Sequence, residues 1–214
     1  MNNRVALGIP VIAVLAGCGG GGASNVDMNI SPGGASFSDV LQAQRDSEGV
    51  FSFFPLTPAS DPISGSFTYE GLAVVEQQAN RRDSDVNFIA YGLLNSEVDF
   101  TTNQMTATGS NFYQLDAAQY NSSGQERARG AIAGDISYAA TLTRDRGFIE
   151  GLMGQATGTL TSLEGTPIVV DADATAVFAL DGAPQMYING PSTNSATTNL
   201  DEAFNAVRLY GIQQ

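Results

Sequence analysis

The stretch LLNSEVDFTTNQMTATGS, residues 93–110, predicts a β-hairpin from which the rest of the fold can be built outward. Apolar or small residues alternate with polar ones on both sides of a central turn, which is the pattern of paired, half-buried strands. A four-residue turn at residues 101–104 would place Phe100 opposite Met105. This register sorts apolar and polar side chains onto opposite faces of both strands, as cross-strand pairing requires. The stretch therefore predicts an antiparallel sheet with one buried face.

The same period of two continues in both directions along the chain and indicates further strands. The C-terminal stretch has the spacing of a helix or a strand, and we favour a strand because it would pair the open edges of the sheet. Glycines inside the strands suit the tight bends of a small barrel. The pattern predicts an all-β fold, a single eight-stranded antiparallel up-and-down β-barrel, with a β-sandwich as the alternative. The predicted strands are residues 66–76, 87–100, 105–114, 129–143, 148–162, 168–180, 185–190 and 203–212.

A second hairpin is predicted around the turn at residues 144–147. Its register would place Leu142 opposite Phe148, and Glu150 would then share the apolar face, where a carboxylate needs a partner or water. Between the two hairpins, the polar residues 121–124 are predicted to form a loop.

The N-terminus begins with a short apolar run after Arg4, which is too short to span a membrane and is typical of a secretory signal. Residues 15–18, LAGC, then resemble the lipobox of bacterial lipoprotein precursors. In that family the peptidase cuts before the cysteine after its sulfur has received diacylglycerol, and several acyl chains form a stable anchor. Cys18 is therefore the predicted lipidation site. The alternative is a free thiol in an uncleaved apolar N-terminus.

The predicted organisation has three parts. Residues 1–17 are a signal peptide that is removed, residues 18–64 a lipidated glycine-rich tether, and residues 65–214 the β-barrel domain. Within the tether, Ser36 and Asp39 form the S-x-x-D signal of a helix start, followed by apolar residues. This signal predicts a short helix that ends within residues 46–49.

The composition excludes most catalytic classes. The net charge is −13, and the chain contains no histidine, no lysine and one cysteine. Without histidine the usual general base and the commonest transition-metal ligand are missing, and without lysine there is no Schiff base. An acidic chain without a basic patch is poorly suited to nucleic acid. We therefore expect no enzymatic activity, no cofactor and no nucleic-acid partner.

The basic clusters of the chain are the candidate ligand-binding residues. Arg81, Arg82, Arg144 and Arg146 lie in predicted loops, where a rigid scaffold usually presents binding residues. They would contact an anionic ligand or a protein. The alternative is that they balance the charge of nearby aspartates.

Acidic residues were considered as metal ligands or catalytic groups. Residues 83–87 begin like a calcium-binding loop, but Phe88 and Leu94 stand where glycine and glutamate are required. Asp171 and Asp173 have the spacing of two oxygen ligands, although an outward polar face is the default interpretation. We predict no metal site. A carboxylate pair for sugar hydrolysis would have to come from Glu70, Glu76, Glu97 and Glu150.

Four stretches in this order resemble transferrin-binding-protein-like lipoproteins: SGSFTYEGLAVV, LLNSEVDFTTNQMTATGSNF, GAIAGDISYAATL and GLMGQATGTL. In that family an eight-stranded barrel follows a tether and carries a D-F-x-x-N-x-apolar-x-x-x-G hairpin like residues 99–109. The late aromatic-Gly-Pro turn and E-x-G-G of the family are absent here, and residues 177–182 stand in their place. The resemblance implies the fold and a cell-surface location, and it does not imply transferrin binding.

These features predict a non-enzymatic lipoprotein, anchored by lipid in the outer membrane, whose barrel binds a protein or a small molecule. The residue after Cys18 is Gly19 rather than aspartate, which favours outer-membrane sorting by resemblance to enterobacterial lipoproteins. The alternative is a structural or envelope-interaction lipoprotein without a dedicated ligand. A membrane-embedded barrel is a further rival, because it also alternates in strands of this length. Large inward side chains would predict a filled barrel, and small ones a cavity.

Overall fold

A computed structural model describes residue 31 and residues 33–51, 64–78, 85–145, 148–179, 185–191 and 204–214. Strands dominate these residues, so that the predicted all-β class is confirmed. The elements in chain order are α1 (Phe37–Phe51), β1 (Ser66–Gln78), β2 (Val86–Asp99), β3 (Gln104–Leu115), α2 (Ala117–Ser123), β4 (Ala128–Ala131), β5 (Ile136–Asp145), β6 (Phe148–Thr161), β7 (Pro167–Ala179), β8 (Gln185–Pro191) and β9 (Phe204–Gln213).

The strands form a closed antiparallel barrel. Consecutive strands pair in an up-and-down order, and β9 returns to pair with β1, which closes the sheet. Short β4 and longer β5 both pair with β3, so they share one position in a barrel of eight strands. The predicted barrel is confirmed against the sandwich, and the ambiguous C-terminal stretch is a strand. Closure satisfies the backbone groups that an open edge would leave unpaired.

The register of the β2–β3 hairpin differs from the predicted one by two residues. Val98, not Phe100, lies opposite Met105. The turn starts one residue earlier because the Asp99 carboxylate accepts hydrogen bonds from the amides of residues 101 and 102, at 2.7 and 3.1 Å. Since side chains alternate with a period of two, a shift of two residues leaves each one on its predicted face.

The register of the β5–β6 hairpin was also predicted wrongly. Asp145, not Leu142, lies opposite Phe148, so the strands are joined by two residues instead of four. The pairing shifts beyond Thr143, and Glu150 is the extra residue that this β-bulge leaves without an opposite residue. The face on which the Glu150 side chain lies is outside the described part of the chain.

Two elements between the hairpins were not predicted. The single strand expected at residues 129–143 is divided into β4 and β5 around Gly134, whose φ is +116°. The loop expected at residues 121–124 is instead the end of helix α2. The Asp116 side chain accepts a hydrogen bond from the Gln119 amide at the N-cap, and Gly124 closes the helix in the left-handed conformation.

The inside of the barrel is filled by side chains. At the lower end, defined as the end where β1 begins, the ring of Phe178 lies 5.8 Å from that of Tyr69 and 5.4 Å from that of Phe100. The other large side chains of the same buried cluster are Val75, Phe88, Leu94, Val98, Met105, Phe112, Ile132, Ile136, Tyr138, Leu160, Ile168, Val170, Met186, Ile188, Val207 and Leu209. Alanines between them leave room for the rings, and the inward face is a packed core.

The outside of the barrel has two different surfaces. Over β1, β2, β3 and β9 it is apolar and forms a second buried cluster with helix α1. Over β5, β6 and β7 the described outward side chains are exposed and mostly polar. An apolar inside with a polar outside is the reverse of the pattern in membrane-embedded barrels. The exposed polar side chains are Ser137, Thr141, Gln155, Thr157, Thr159, Asp171, Asp173 and Thr175.

Helix α1 lies across the apolar part of the outer surface. Its predicted start is confirmed: the amide and hydroxyl of Ser36 both donate to the Asp39 carboxylate, at 2.8 and 2.7 Å. The helix continues to Phe51, slightly past its predicted end, and Phe37, Val40 and Leu41 pack on the barrel. Within the described residues, no helix has both the length and the apolar character to cross a membrane.

Candidate functional site

The predicted lipidation site Cys18 and the candidates Arg81, Arg82 and Arg146 lie outside the described residues. Arg144 is in β5, where its backbone pairs with Ile149. Strand β1 ends and β2 begins at the upper end of the barrel, whereas β5 ends and β6 begins at the lower end. The described strands that precede and follow the two arginine clusters therefore end at opposite ends of the barrel.

The acidic candidates are separated as well. Glu76 is buried and pairs with Arg208 at 2.9 Å, while Glu70 and Glu97 are exposed on the outer surface. The side chain of Glu150 lies outside the described residues. Among the side chains that the structure describes, no group of three or more His, Cys, Asp or Glu is arranged to hold a metal ion.

A groove of about 790 Å³ lies between α1 and the outer surface of the barrel. Gly71 of β1, residues 93–95 of β2 and the end of β9 form its floor and one wall. A second hollow, of about 340 Å³, continues from it over β1, β2 and β3, and the two share Glu70 and Asn95. We call both hollows together the acidic groove. The polar side chains along it include Asp39, Gln42, Asp46, Thr68, Glu70, Asn95, Ser96, Glu97, Thr106, Thr108, Gln213 and Gln214.

The two faces of α1 explain why a groove forms beside it. Phe37 and Val40 are buried against the barrel, whereas Asp39, Gln42 and Asp46 follow the exposed side at helical spacing. The apolar face therefore packs α1 against the barrel, and the polar face of the helix lines the open side of the groove.

Gly71 keeps the floor of the groove free of side chains. A Cβ atom at this position would lie 2.0 Å from the backbone carbonyl oxygen of Tyr210 in the paired strand. Only glycine permits so close an approach of β1 and β9.

The acidic groove concentrates negative charge. In the β1–β2 register, Glu70 pairs with Asn95 and Thr68 pairs with Glu97, so that the two glutamates are diagonal cross-strand neighbours. Such neighbours are about 7–8 Å apart, and like charges at this distance repel each other. Asp39 and Asp46 add two carboxylates from the helix side.

The charges in the groove are only weakly compensated by the described part of the chain. The salt bridges there, Arg129–Glu164 and Arg208–Glu76, contain no groove residue. One guanidinium lies at the rim, since Arg45 donates a 2.8 Å hydrogen bond to Gln42. The arrangement of carboxylates, amides and hydroxyls is suited to binding cations and hydrogen-bond donors.

The ionisation of Asp39 is supported by its neighbour. Hydrogen bonds from the Ser36 side chain and amide lower the pKa of the Asp39 carboxyl below its ordinary value. This group therefore stays negatively charged at neutral pH and even in mild acid. Its carboxylate stabilises the start of the helix and belongs to the wall of the groove.

The sequence alone did not indicate the groove. Asp39 was recognised as a capping residue, and Glu70 and Glu97 were considered only as hydrolytic carboxylates. The positions of Asp39 and Asp46, two helical turns apart on α1, could have indicated one acidic wall of the groove. The opposite wall comes from four strands, and the sequence does not reveal on which strands the helix rests.

Comparisons with known proteins provide no relative for this chain: no protein-family model, no curated protein and no solved structure matches it. The function is therefore inferred from the residues of the chain and their geometry.

Proposed function

We propose that the protein is a non-enzymatic lipoprotein, attached to the outer membrane through lipid on Cys18, that binds a partner on the outside of its barrel. The lipobox-like residues 15–18 and the resemblance to transferrin-binding-protein-like lipoproteins support the anchor and the location. The filled interior supports the outer surface as the place of binding, because a packed core leaves no room for a ligand.

The acidic groove is the surface that we assign to this binding. It is concave, exposed along α1 and lined by hydrogen-bonding groups. Its four carboxylates favour a positively charged partner, and the net charge of −13 would attract such a partner from a distance. A basic segment of another protein suits the groove better than a compact ligand, because the two hollows form an elongated surface.

The binding proposal is tested with the mature lipidated protein in neutral detergent and a fluorescent arginine-rich peptide as the probe. Anisotropy should show binding that weakens as salt is raised, because exposed charges are screened. The double variant Glu70→Gln/Glu97→Gln should bind about tenfold more weakly, since two exposed charge contacts of modest strength are lost.

The matched control is Asp171→Asn/Asp173→Asn, which removes the same charge from the exposed face of β7. It should bind the peptide as the unmodified protein does. Equal losses in both double variants would mean that net charge alone attracts the peptide. No binding by the unmodified protein would favour the alternative function, a structural envelope lipoprotein without a dedicated ligand.

The anchor is tested separately by mass spectrometry of the protein extracted from membranes. The mature chain should begin at Cys18 and carry diacylglycerol on sulfur and an acyl group on nitrogen. The Cys18→Ala variant should lose both the modification and the membrane association. An unmodified thiol in a chain that retains residues 1–17 would overturn the proposed anchor.

A further inference from the structure

The segment before α1 is docked on strand β3. Ser31, although it belongs to the predicted tether, is buried. Its amide donates to the Tyr113 hydroxyl at 3.1 Å, and its hydroxyl donates to the Asn111 side-chain oxygen at 2.6 Å. The Tyr113 hydroxyl in turn donates to the backbone carbonyl of Ala35 at 2.8 Å. We call residue 31 and residues 33–36, together with Asn111 and Tyr113, the N-terminal lock.

The lock is a built structure with its own turn. The Gly34 amide donates to the Ser31 carbonyl at 2.8 Å, and the Ser31 amide also donates to the Ala35 carbonyl at 3.0 Å. Gly34 has a φ of +89°, which favours glycine. A Cβ atom on Gly33 would lie 2.0 Å from the Asn111 side-chain oxygen, so a larger residue there would displace the Asn111 side chain.

The lock is continuous with the wall of the acidic groove. The ring of Tyr113 lies 5.4 Å from that of Phe37, the first residue of α1. Tyr113 therefore holds the turn through its hydroxyl and the helix through its ring. Ser36, the last residue of the lock in the chain, forms the capping pair with Asp39, and Asp39 also lines the groove.

We propose that the N-terminal lock ends the tether at Ser31 and holds the first turn of α1 in place, so that the shape of the acidic groove depends on it. The link to partner binding rests on the proposed function, whereas the lock itself does not. A partner would then meet the groove close to the membrane, because residues 19–30 between Cys18 and Ser31 cannot span more than about 45 Å even when fully extended.

The lock is tested by amide hydrogen exchange on the mature protein carrying Gly33→Ala. The added methyl group should displace the Asn111 side chain and break its bond with Ser31. Exchange at residues 31–36 and in the first turn of α1 should become about tenfold faster or more, as expected when buried hydrogen bonds are lost. The amides of β7 should be unaffected. Gly22→Ala, upstream of the lock, is the matched control and should change neither region.

A second variant, Tyr113→Phe, removes the hydroxyl but keeps the ring against Phe37, so the barrel should stay folded. It should accelerate exchange in the same residues, by less than Gly33→Ala. Unchanged exchange in both variants would overturn the lock. Faster exchange at residues 31–36 with an undisturbed α1 would overturn its role in holding the helix.

The consequence for the groove is measured with the arginine-rich peptide. Gly33→Ala should weaken peptide binding severalfold although residue 33 does not line the groove. If Gly33→Ala accelerates exchange in α1 but leaves the affinity for the peptide unchanged, the groove does not depend on the lock. If the unmodified protein binds no peptide, the proposed function fails, and the exchange data still decide whether the lock exists.

Discussion

Glu76 on β1 and Arg208 on β9 form an ion pair at the edge of the second buried cluster. The Glu76 side chain is only 8% exposed, whereas that of Arg208 is 35% exposed. The rings of Tyr187 and Tyr210 stack next to the pair, with centroids 4.9 Å apart. The carboxylate is therefore largely shielded from water, and the guanidinium is its counter-charge.

Replacing this carboxylate should destabilise the barrel. Glu76→Gln leaves Arg208 half-buried without its counter-charge, and we expect a loss of about 1–3 kcal/mol, below the range for a fully buried pair because water still reaches the guanidinium. Urea unfolding measures the loss. Glu97→Gln, on the exposed surface, is the control and should change stability by less than about 0.5 kcal/mol. Equal effects would show that the pair adds nothing to stability.

Gly71 is the second residue whose effect can be predicted. Gly71→Ala would place a methyl group against the Tyr210 carbonyl oxygen, a backbone atom that cannot rotate away. The strands β1 and β9 must then separate locally, and we expect a loss of about 1–3 kcal/mol. Thermal unfolding should show a lower midpoint than for Ser137→Ala on the exposed face of β5. A normal midpoint would mean that β9 accommodates the methyl group.

At the scale of elements, α1 depends on its capping pair and therefore on pH. The folded-state pKa of Asp39 is lowered by hydrogen bonds from Ser36. A carboxyl with a depressed pKa contributes stability that is fully present above its ordinary pKa of 3.8 and is lost as the pH falls through the lower folded value. The protection factors of the amides in the first turn, which correct exchange for its intrinsic pH dependence, should fall in that acidic window. The Asp39→Asn variant should lack this acid-dependent step, and a step of equal size would assign it to another group.

The two helices show what local signals can predict. The S-x-x-D pattern at Ser36 correctly marked the start of α1, because capping is a short-range interaction. Helix α2 has comparable signals in Asp116 and Gly124, but its polar composition suggested a loop. Both hairpin registers were wrong for a related reason. The Asp99 turn is fixed by hydrogen bonds from backbone amides to a side-chain carboxylate, and the β5–β6 bulge by a shift in backbone pairing; alternation reports neither.

At the scale of the whole molecule, the filled interior leads to a prediction about stability. Phe178 is buried against the rings of Tyr69 and Phe100. Phe178→Ala should cost about 3–5 kcal/mol, through lost burial and the cavity that remains. Met153→Ala, where the side chain is 76% exposed, should change stability by less than about 0.5 kcal/mol. Urea unfolding of both variants provides the comparison, and a small loss at Phe178 would argue for a loosely packed barrel.

Apolar and polar residues alternate along the strands, and this pattern in the sequence was enough to predict the all-β class, the eight positions of the barrel and its apolar interior. It also marked the start of α1. These features depend on neighbours within a few residues or on a period of two, which a single sequence displays directly. The closing position of the last strand was inferred from a general physical requirement, that sheet edges be paired.

The registers of the two hairpins, the second apolar cluster outside the barrel and the position of α1 on this cluster could be read only from the folded chain. The acidic groove and the N-terminal lock belong to this second group. Each brings together residues far apart in the chain, such as Asp39 with Glu70, or Ser31 with Asn111. Such contacts depend on how strands twist and close around a packed core, and the pattern of residues along one strand or one helix does not contain that information.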